Sequence, residues 1–244
     1  MANHRKHQLQ ELQKGTSDAV DCLYRDEGKE ETMLEELMQL LPELFRKLDD
    51  ESETDGNFSN VKVVCVGGGA GTIMKRVLKD PLLNMKCIAI NTDKAALEIS
   101  DADIKLSIGG RNGTGTNGEP EIGRLAAELN RKEIAKALAG CDTIILIACL
   151  GGGTGTGAAP LVAEIAQNMG ISTIGMAILP FGFEGGKRKK QAAAGLEQLR
   201  KYTDTVIEFS NEEYKKRASN FSDTFELIEG AIAQEIKNIV ERVK

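Results

Sequence analysis

"TIILIACLGGGTGTGAAPLVAEIAQNMG", residues 143–170, runs from an apolar stretch into a helical pattern through a loop of glycine, threonine and alanine. After Thr143 the stretch 144–149 carries no charged residue, which reads as a strand buried on both faces. The loop places Gly151, Gly152, Gly153, Gly155 and Gly157 around Thr154 and Thr156. Glycine lets a backbone turn sharply and approach an anion closely, and a helix N-terminus offers free amides to it. A strand, a glycine loop and a helix in that order predict a sheet whose ligand crevice lies at the carboxyl ends of parallel strands.

The same order recurs outward from this stretch. Strands are predicted over 61–66, 86–91, 104–108, 143–149, 172–179 and 205–210, and helices over about 72–79, 94–99, 121–139, 157–169, 187–202 and 223–243. Six strands with intervening helices give an α/β fold, doubly wound, with a mainly parallel six-stranded sheet. A second glycine loop, "VGGGAGT" (66–72), follows the first strand, so both glycine loops meet where the strand order reverses. Two neighbouring amide-rich loops suit a di- or triphosphate. Gly68, Gly69 and Gly71, with Gly152, Gly153, Thr154, Gly155 and Thr156, are the candidate cradle.

Other phosphate motifs fit less well. No GxxxxGK[ST] string occurs. Gly153, Gly155 and Ala158 satisfy GxGxxA, and Asp93 follows the second strand, which keeps an NAD(P)-binding oxidoreductase domain open as an alternative. That motif, however, follows the fourth strand, with no acid at the end of the fifth.

Composition narrows the classes further. The chain has 244 residues, a formal charge of −6 and a pI near 5.2. This balance argues against general affinity for nucleic acid or an anionic membrane. Cys22, Cys65, Cys87, Cys141 and Cys149 form no CxxC pair and read as reduced thiols. The basic start lacks a following apolar stretch, so no signal peptide is expected and the location expected is cytoplasmic. His4 and His7 support no metal site.

Residues 1–60 differ from 61–244 and read as an N-terminal helical and flexible extension. Leu34, Leu37, Leu41, Leu44, Phe45 and Leu48 recur at helical spacing, interrupted by Pro42. The segment 31–48 would pack on its own domain, bind a helical partner or a second copy, or lie on a membrane surface. The acidic stretch 49–60 reads as a linker.

Over 61–244 these motifs resemble FtsZ, the tubulin-like GTPase of prokaryotic cell division. "GGGTGTGAAP" is similar to the tubulin signature, "VKVVCVGGGAGT" to the first nucleotide loop, and "INTDKAAL" to the segment after the second strand. "EPEIGRLAAE", "PFGFEGGKR" and "FSNEE" resemble later nucleotide segments. Ala70, Thr72, Asn117 and Glu119 depart from the usual Gly, Asn, Gly and Asn. The resemblance implies GTP or GDP as ligand, with or without magnesium. It implies phosphates held by the backbone amides of the cradle and by the Thr154 and Thr156 hydroxyls, with Gly113, Thr114 and Gly115 near the terminal phosphate and Thr72 beside the first loop. Glu184 would accept from ribose hydroxyls, and Arg188 would pair with the phosphate–ribose side. Asn211 would hydrogen-bond the base, Phe225 would stack on it, and Glu229 would accept from guanine N–H groups.

In the last predicted helix Ile228, Ile239, Ile232, Val243, Phe225, Ile236 and Val240 share one arc, and Glu229 is the charge inside it. The opposite side is polar. In FtsZ a catalytic acidic loop and a second domain follow this helix, whereas this sequence stops at Lys244. The expectation is therefore an FtsZ-like protein reduced to its nucleotide-binding domain, with no catalytic residue of its own and hydrolysis slow or absent. Filaments of the usual head-to-tail kind would be lost, and any tie to division or membrane remodelling would be indirect. The alternative is an active GTPase completed in trans by a neighbour.

Overall fold

The computed structural model describes residues 60–78, 85–110 and 113–243. The chain divides into two units, Met1–Gly56 and Asn57–Lys244. The predicted helix over 31–48, the linker as far as residue 59, His4, His7 and Cys22 lie outside the described residues.

The strands are β1 (Val61–Val66), β2 (Lys86–Asn91), β3 (Ile104–Ser107), β4 (Thr143–Cys149), β5 (Ser172–Leu179) and β6 (Thr205–Ser210). They form one sheet in the order β3-β2-β1-β4-β5-β6. Every pairing between them is parallel, so the sheet expected to be mainly parallel is wholly so among the described residues. β1 lies between β2 and β4, with Val63 opposite both Cys87 and Ile145. The reversal of strand order therefore falls between β1 and β4, whose ends carry the two glycine loops.

The helices are α1 (Gly68–Leu78), α2 (Lys94–Glu98), α3 (Pro120–Leu129), α4 (Arg131–Leu138), α5 (Gly153–Asn168), α6 (Gly186–Tyr202), α7 (Asn211–Lys215) and α8 (Phe221–Val243). Four points differ from the sequence prediction. α1 and α5 begin inside the glycine runs, four residues earlier than expected, so the glycines form the first helical turns. The helix expected over 121–139 breaks at Asn130, whose Nδ2 donates to the Ala126 carbonyl at 2.8 Å and competes with the helical pattern. α7 was not expected. Its start carries the Ser-x-x-Glu capping signal, and the Glu213 N–H donates to Ser210 Oγ at 3.4 Å.

The sheet is covered on both faces, as uninterrupted apolar strands require. On one face Val64, Val66, Ile88, Ile90, Ile144 and Leu146 meet Ile134, Leu138, Val162 and Leu199 of α4, α5 and α6. On the other, Val63, Cys65, Ile145, Ile147, Met176 and Phe209 meet Ile73 and Met74 of α1 and Ile228, Ile232, Ile236 and Ile239 of α8. Each such aliphatic side chain contributes on the order of 1.5–3 kcal/mol by leaving water. Glu226, Gln234 and Glu241 of α8 are exposed, while Lys237 and Asn238 are half-buried. No described helix is long and apolar enough to cross a membrane.

Candidate functional site

The carboxyl ends of β1, β2 and β4 deliver three loops to one place. At Gly67, with φ +87°, an added Cβ would sit 3.1 Å from the Gly155 nitrogen, so the first glycine loop lies directly against the second. The hydroxyls of Thr92, just after β2, and Thr154, in the first turn of α5, are 2.6 Å apart and buried. The loop between β3 and α3, the third loop, is stitched to the same point. The Lys94 N–H donates to the Gly113 carbonyl at 2.9 Å, and the Gly115 N–H to the Thr92 carbonyl at 3.2 Å. Thr114 pairs with Asp93 in an isolated antiparallel bridge.

Several glycines of the signature have steric reasons to be glycine. A Cβ on Gly153 would lie 2.0 Å from Thr116 Oγ1, and one on Gly155 would lie 2.3 Å from the Cys149 carbonyl oxygen. On Gly157 it would meet the Pro120 carbonyl oxygen at 1.9 Å. These contacts weld α5 to the third loop, to β4 and to α3. Gly71 is different: nothing lies within 4 Å of its added Cβ.

The Thr154 and Thr156 hydroxyls, expected to help hold the phosphates, instead face inward. Thr154 Oγ1 is bonded to Thr92, and Thr156 Oγ1 accepts from the Gly151 N–H at 2.8 Å. What the cradle presents outward is therefore backbone, chiefly the amides at the starts of α1 and α5. Gly152 caps α5 in extended conformation with no side-chain partner, as an anion-binding helix start requires.

The mouth of the cradle is a cavity of about 500 Å³ lined by Asn117, Gly118, Gly151–Gly153, Glu184, Lys187, Arg188 and Gln191. That size is within the usual ligand range of about 300–1,000 Å³. Asn117 holds φ +51°, a left-handed conformation that asparagine tolerates better than most residues. Arg188 pairs with Glu184 at 3.0 Å, and Glu184 Oε1 also accepts from the Phe181 N–H at 2.7 Å. Across the mouth, Lys187 Nζ meets Glu119 Oε1 at 2.6 Å, and Gln191 Nε2 donates to the Gly118 carbonyl at 3.3 Å. Thr92, Thr116, Lys187 and Gln191 were missed in the sequence. The "KRKK" run at 187–190 contains Lys187, but an exposed charge run alone does not separate a site residue from a solvated one.

Beyond this mouth stand the residues expected to meet a base. Phe225 is half-exposed at the start of α8, and its ring centroid is 5.8 Å from that of Phe181 in an edge arrangement. Glu229 follows one turn later and is half-buried. Asn211 opens α7, and its Oδ1 is a buried acceptor with no hydrogen-bond partner. A buried polar atom left so costs about 1–3 kcal/mol, which a ligand donor would recover. Its neighbour Glu212 is held below the usual carboxylate range, first by the Gly182 N–H it accepts at 2.8 Å. Thr72 is exposed beside a smaller cavity of about 180 Å³ between α1 and α2.

Cys149 lies beneath the cradle. Burial first, and then the charge of Glu184, push its thiol up to about 12, while Arg188 acts the other way. It is therefore a protonated filler at neutral pH and no nucleophile.

Comparison with known proteins places this geometry. The model of the Tubulin/FtsZ family, GTPase domain, matches residues 60–219. The structure is similar to an empty FtsZ dimer from M. jannaschii, with 35% identity and a TM-score of 0.71 over 82% of this chain and 59% of that one. It is similar to CetZ2 from Haloferax volcanii, solved as a GTPγS-bound protofilament, with 25% identity and a TM-score of 0.66 over 74% and 58%. TubZ of the Clostridium botulinum phage c-st, at 21% identity and a TM-score of 0.62 over 74% and 60%, shares the fold. The chain thus spans about three fifths of the length of each of these proteins.

Proposed function

This chain belongs to the tubulin/FtsZ family, and we propose that it binds a guanine nucleotide, GTP or GDP, and hydrolyses it slowly or not at all. The orphaned Asn211 Oδ1 carries the base assignment: it is a buried acceptor, and the N–H edge of guanine supplies donors to such a group. Phe225 offers a ring face, and Glu229 a second acceptor. The phosphates would rest on the backbone of Gly68, Gly69 and Gly71 and of Gly152 to Thr156. Gly113 to Gly115 would close one side, and Arg188 and Lys187 would supply positive charge. Breaking the Glu184–Arg188 pair would free Glu184 for ribose hydroxyls.

The slow hydrolysis has a local basis. Cleaving a terminal phosphate needs a water held by an acid or base within hydrogen-bond reach. Asp93 Oδ1 accepts from Ala96 N–H, Glu119 is tied to Lys187, and Glu184 accepts from Phe181 N–H and, once released from Arg188, would turn to the ribose hydroxyls. These carboxylates around the cradle are all engaged. Magnesium, if it accompanies the phosphates, would add charge there. The resemblance extends the reading to a cytoplasmic assembly factor in division or membrane remodelling.

Heat release of the nucleotide from purified protein, followed by mass spectrometry, tests the first claim. A guanine nucleotide is expected, and a nicotinamide dinucleotide would overturn it. Phosphate release measured against protein concentration tests the second, with turnover at rates usual for FtsZ as the contrary result.

A further inference from the structure

α3 turns an apolar stripe to solvent. Ile122, Leu125 and Leu129 are 47%, 55% and 76% exposed, while Gly123 and Ala127 on the opposite side are buried. At about 100° per residue the three side chains lie within one narrow arc, on a helix whose inner face is already fully packed. That packing is tight. A Cβ on Gly123 would lie 2.4 Å from the Gly153 carbonyl oxygen, so α3 is fixed rigidly against the first turn of α5. A rigid stripe of large side chains on a charged helix is an unusual surface to leave in water.

The charges beside the stripe say what fits it. Glu121, Arg124 and Glu128 share one flank of α3, and Arg131 follows the break at Asn130. Within the chain Arg124 pairs with Glu121 at 3.6 Å, and Arg131 pairs with Glu128 at 3.0 Å and Glu164 at 2.9 Å. In an antiparallel pairing of two such helices, the same flank of each meets the other. With a two-fold axis between Leu125 and Ala126, Arg124 of one copy stands within one residue, about 1.5 Å of axial rise, of the level of Glu128 of the other. The same register sets Leu129 against Ile122 of the other copy and brings the two Leu125 side chains together near the axis. Apolar and charged positions are thus self-complementary in one register, as an isologous contact requires. We propose that the Ile122–Leu125–Leu129 face of α3 is a self-association surface that pairs two copies of this chain antiparallel. Three large side chains per copy fall short of a standard interface, so the pairing is weak and concentration-dependent, on the order of micromolar or looser.

This proposal stands apart from the nucleotide reading, because no residue of the stripe lines the cradle mouth. Sedimentation velocity of the full chain across about a hundredfold concentration range tests it. The expected result is a monomer–dimer shift that Leu125→Glu weakens by about tenfold or more in dissociation constant. A chain that stays monomeric throughout, or that associates equally well with Leu125→Glu, overturns it. The sharper test mixes two charge variants, Arg124→Glu and Glu128→Arg. Each alone should self-associate less than the parent, because like charges then face across the axis, and the mixture should associate at least as well as the parent. A mixture no better than its components overturns the register. Circular dichroism of each variant confirms that the fold is retained.

Discussion

Thr92 and Thr154, from loops that follow different strands, share a buried hydrogen bond of 2.6 Å between their hydroxyls. The bond fastens the end of β2 to the first turn of α5, so the two sides of the cradle cannot separate without exposing two polar atoms to an apolar interior. Replacing Thr154 by Val leaves the Thr92 hydroxyl unpaired and is expected to cost about 1–3 kcal/mol. The double variant Thr92→Val/Thr154→Val should recover part of that loss. Urea denaturation of the four proteins in a double-mutant cycle measures the coupling, and strictly additive single effects would contradict it.

Two glycines separate folding from binding. Gly157→Ala drives a methyl into the Pro120 carbonyl and is expected to cost more than about 2 kcal/mol, seen as a fall in thermal midpoint. Gly71→Ala meets nothing within 4 Å and lies in α1, so it should be neutral or stabilise by up to about 1 kcal/mol. The same Gly71→Ala change puts a methyl on the cradle and should weaken binding of a fluorescent GDP analogue. A destabilised Gly71→Ala, or one with full affinity, would show that the loop has another shape in solution.

Asn211→Ala removes a buried acceptor that has no partner in the free protein. Stability of the free protein should hold or rise, by up to about 1–3 kcal/mol, in chemical denaturation. Nucleotide affinity should fall, with a greater loss for guanine than for inosine, which lacks the exocyclic amine. Equal losses for both would place Asn211 away from the base.

The buried thiols predict how stability responds to alkali. Burial pushes Cys87 and Cys149 from the ordinary 9.0 up to about 12, and Cys65 well above its usual value. A group raised in the folded state holds its proton more tightly there, so its contribution is complete below pH 9 and is lost as pH rises towards 12. Urea midpoints between pH 8 and pH 11 should therefore fall less steeply in Cys87→Ala and Cys149→Ala than in the parent. At pH 8 the buried Cys87 thiol should resist an aromatic disulfide reagent until the chain unfolds.

Most of the architecture was legible because parallel strands buried on both faces announce themselves. "VKVVCV", "TIILIAC" and "STIGMAIL" became β1, β4 and β5 with the predicted limits. The starts of α1 and α5 were not, because glycine reads as a helix breaker, while here the first helical turn must be glycine to admit its neighbours. Asn130 ended α3 through a side-chain bond that no periodicity reveals. At the site, the cradle glycines were visible as a pattern, but their separate duties were not. Gly153, Gly155 and Gly157 are held by contacts with residues from the third loop, β4 and α3, which only the folded chain brings together. Lys187 and Glu119 are far apart in the chain, so their pairing across the mouth had no local signature.

β1 sits in the middle of the sheet, between a strand made soon after it and one made much later. Val66 finds its β4 partner, Ala148, about eighty residues further along the chain. During synthesis β1 therefore presents a bare apolar edge from the moment β2 docks until β4 leaves the ribosome. Strand edges of that kind recruit other strands. The order in which the chain is made thus leaves an interval in which β1 must be shielded or remain unpaired, and a pause in translation just before Thr143 would lengthen it. Of the sheet's pairings among the described residues, the one that joins this central strand to β4 spans the longest stretch of chain.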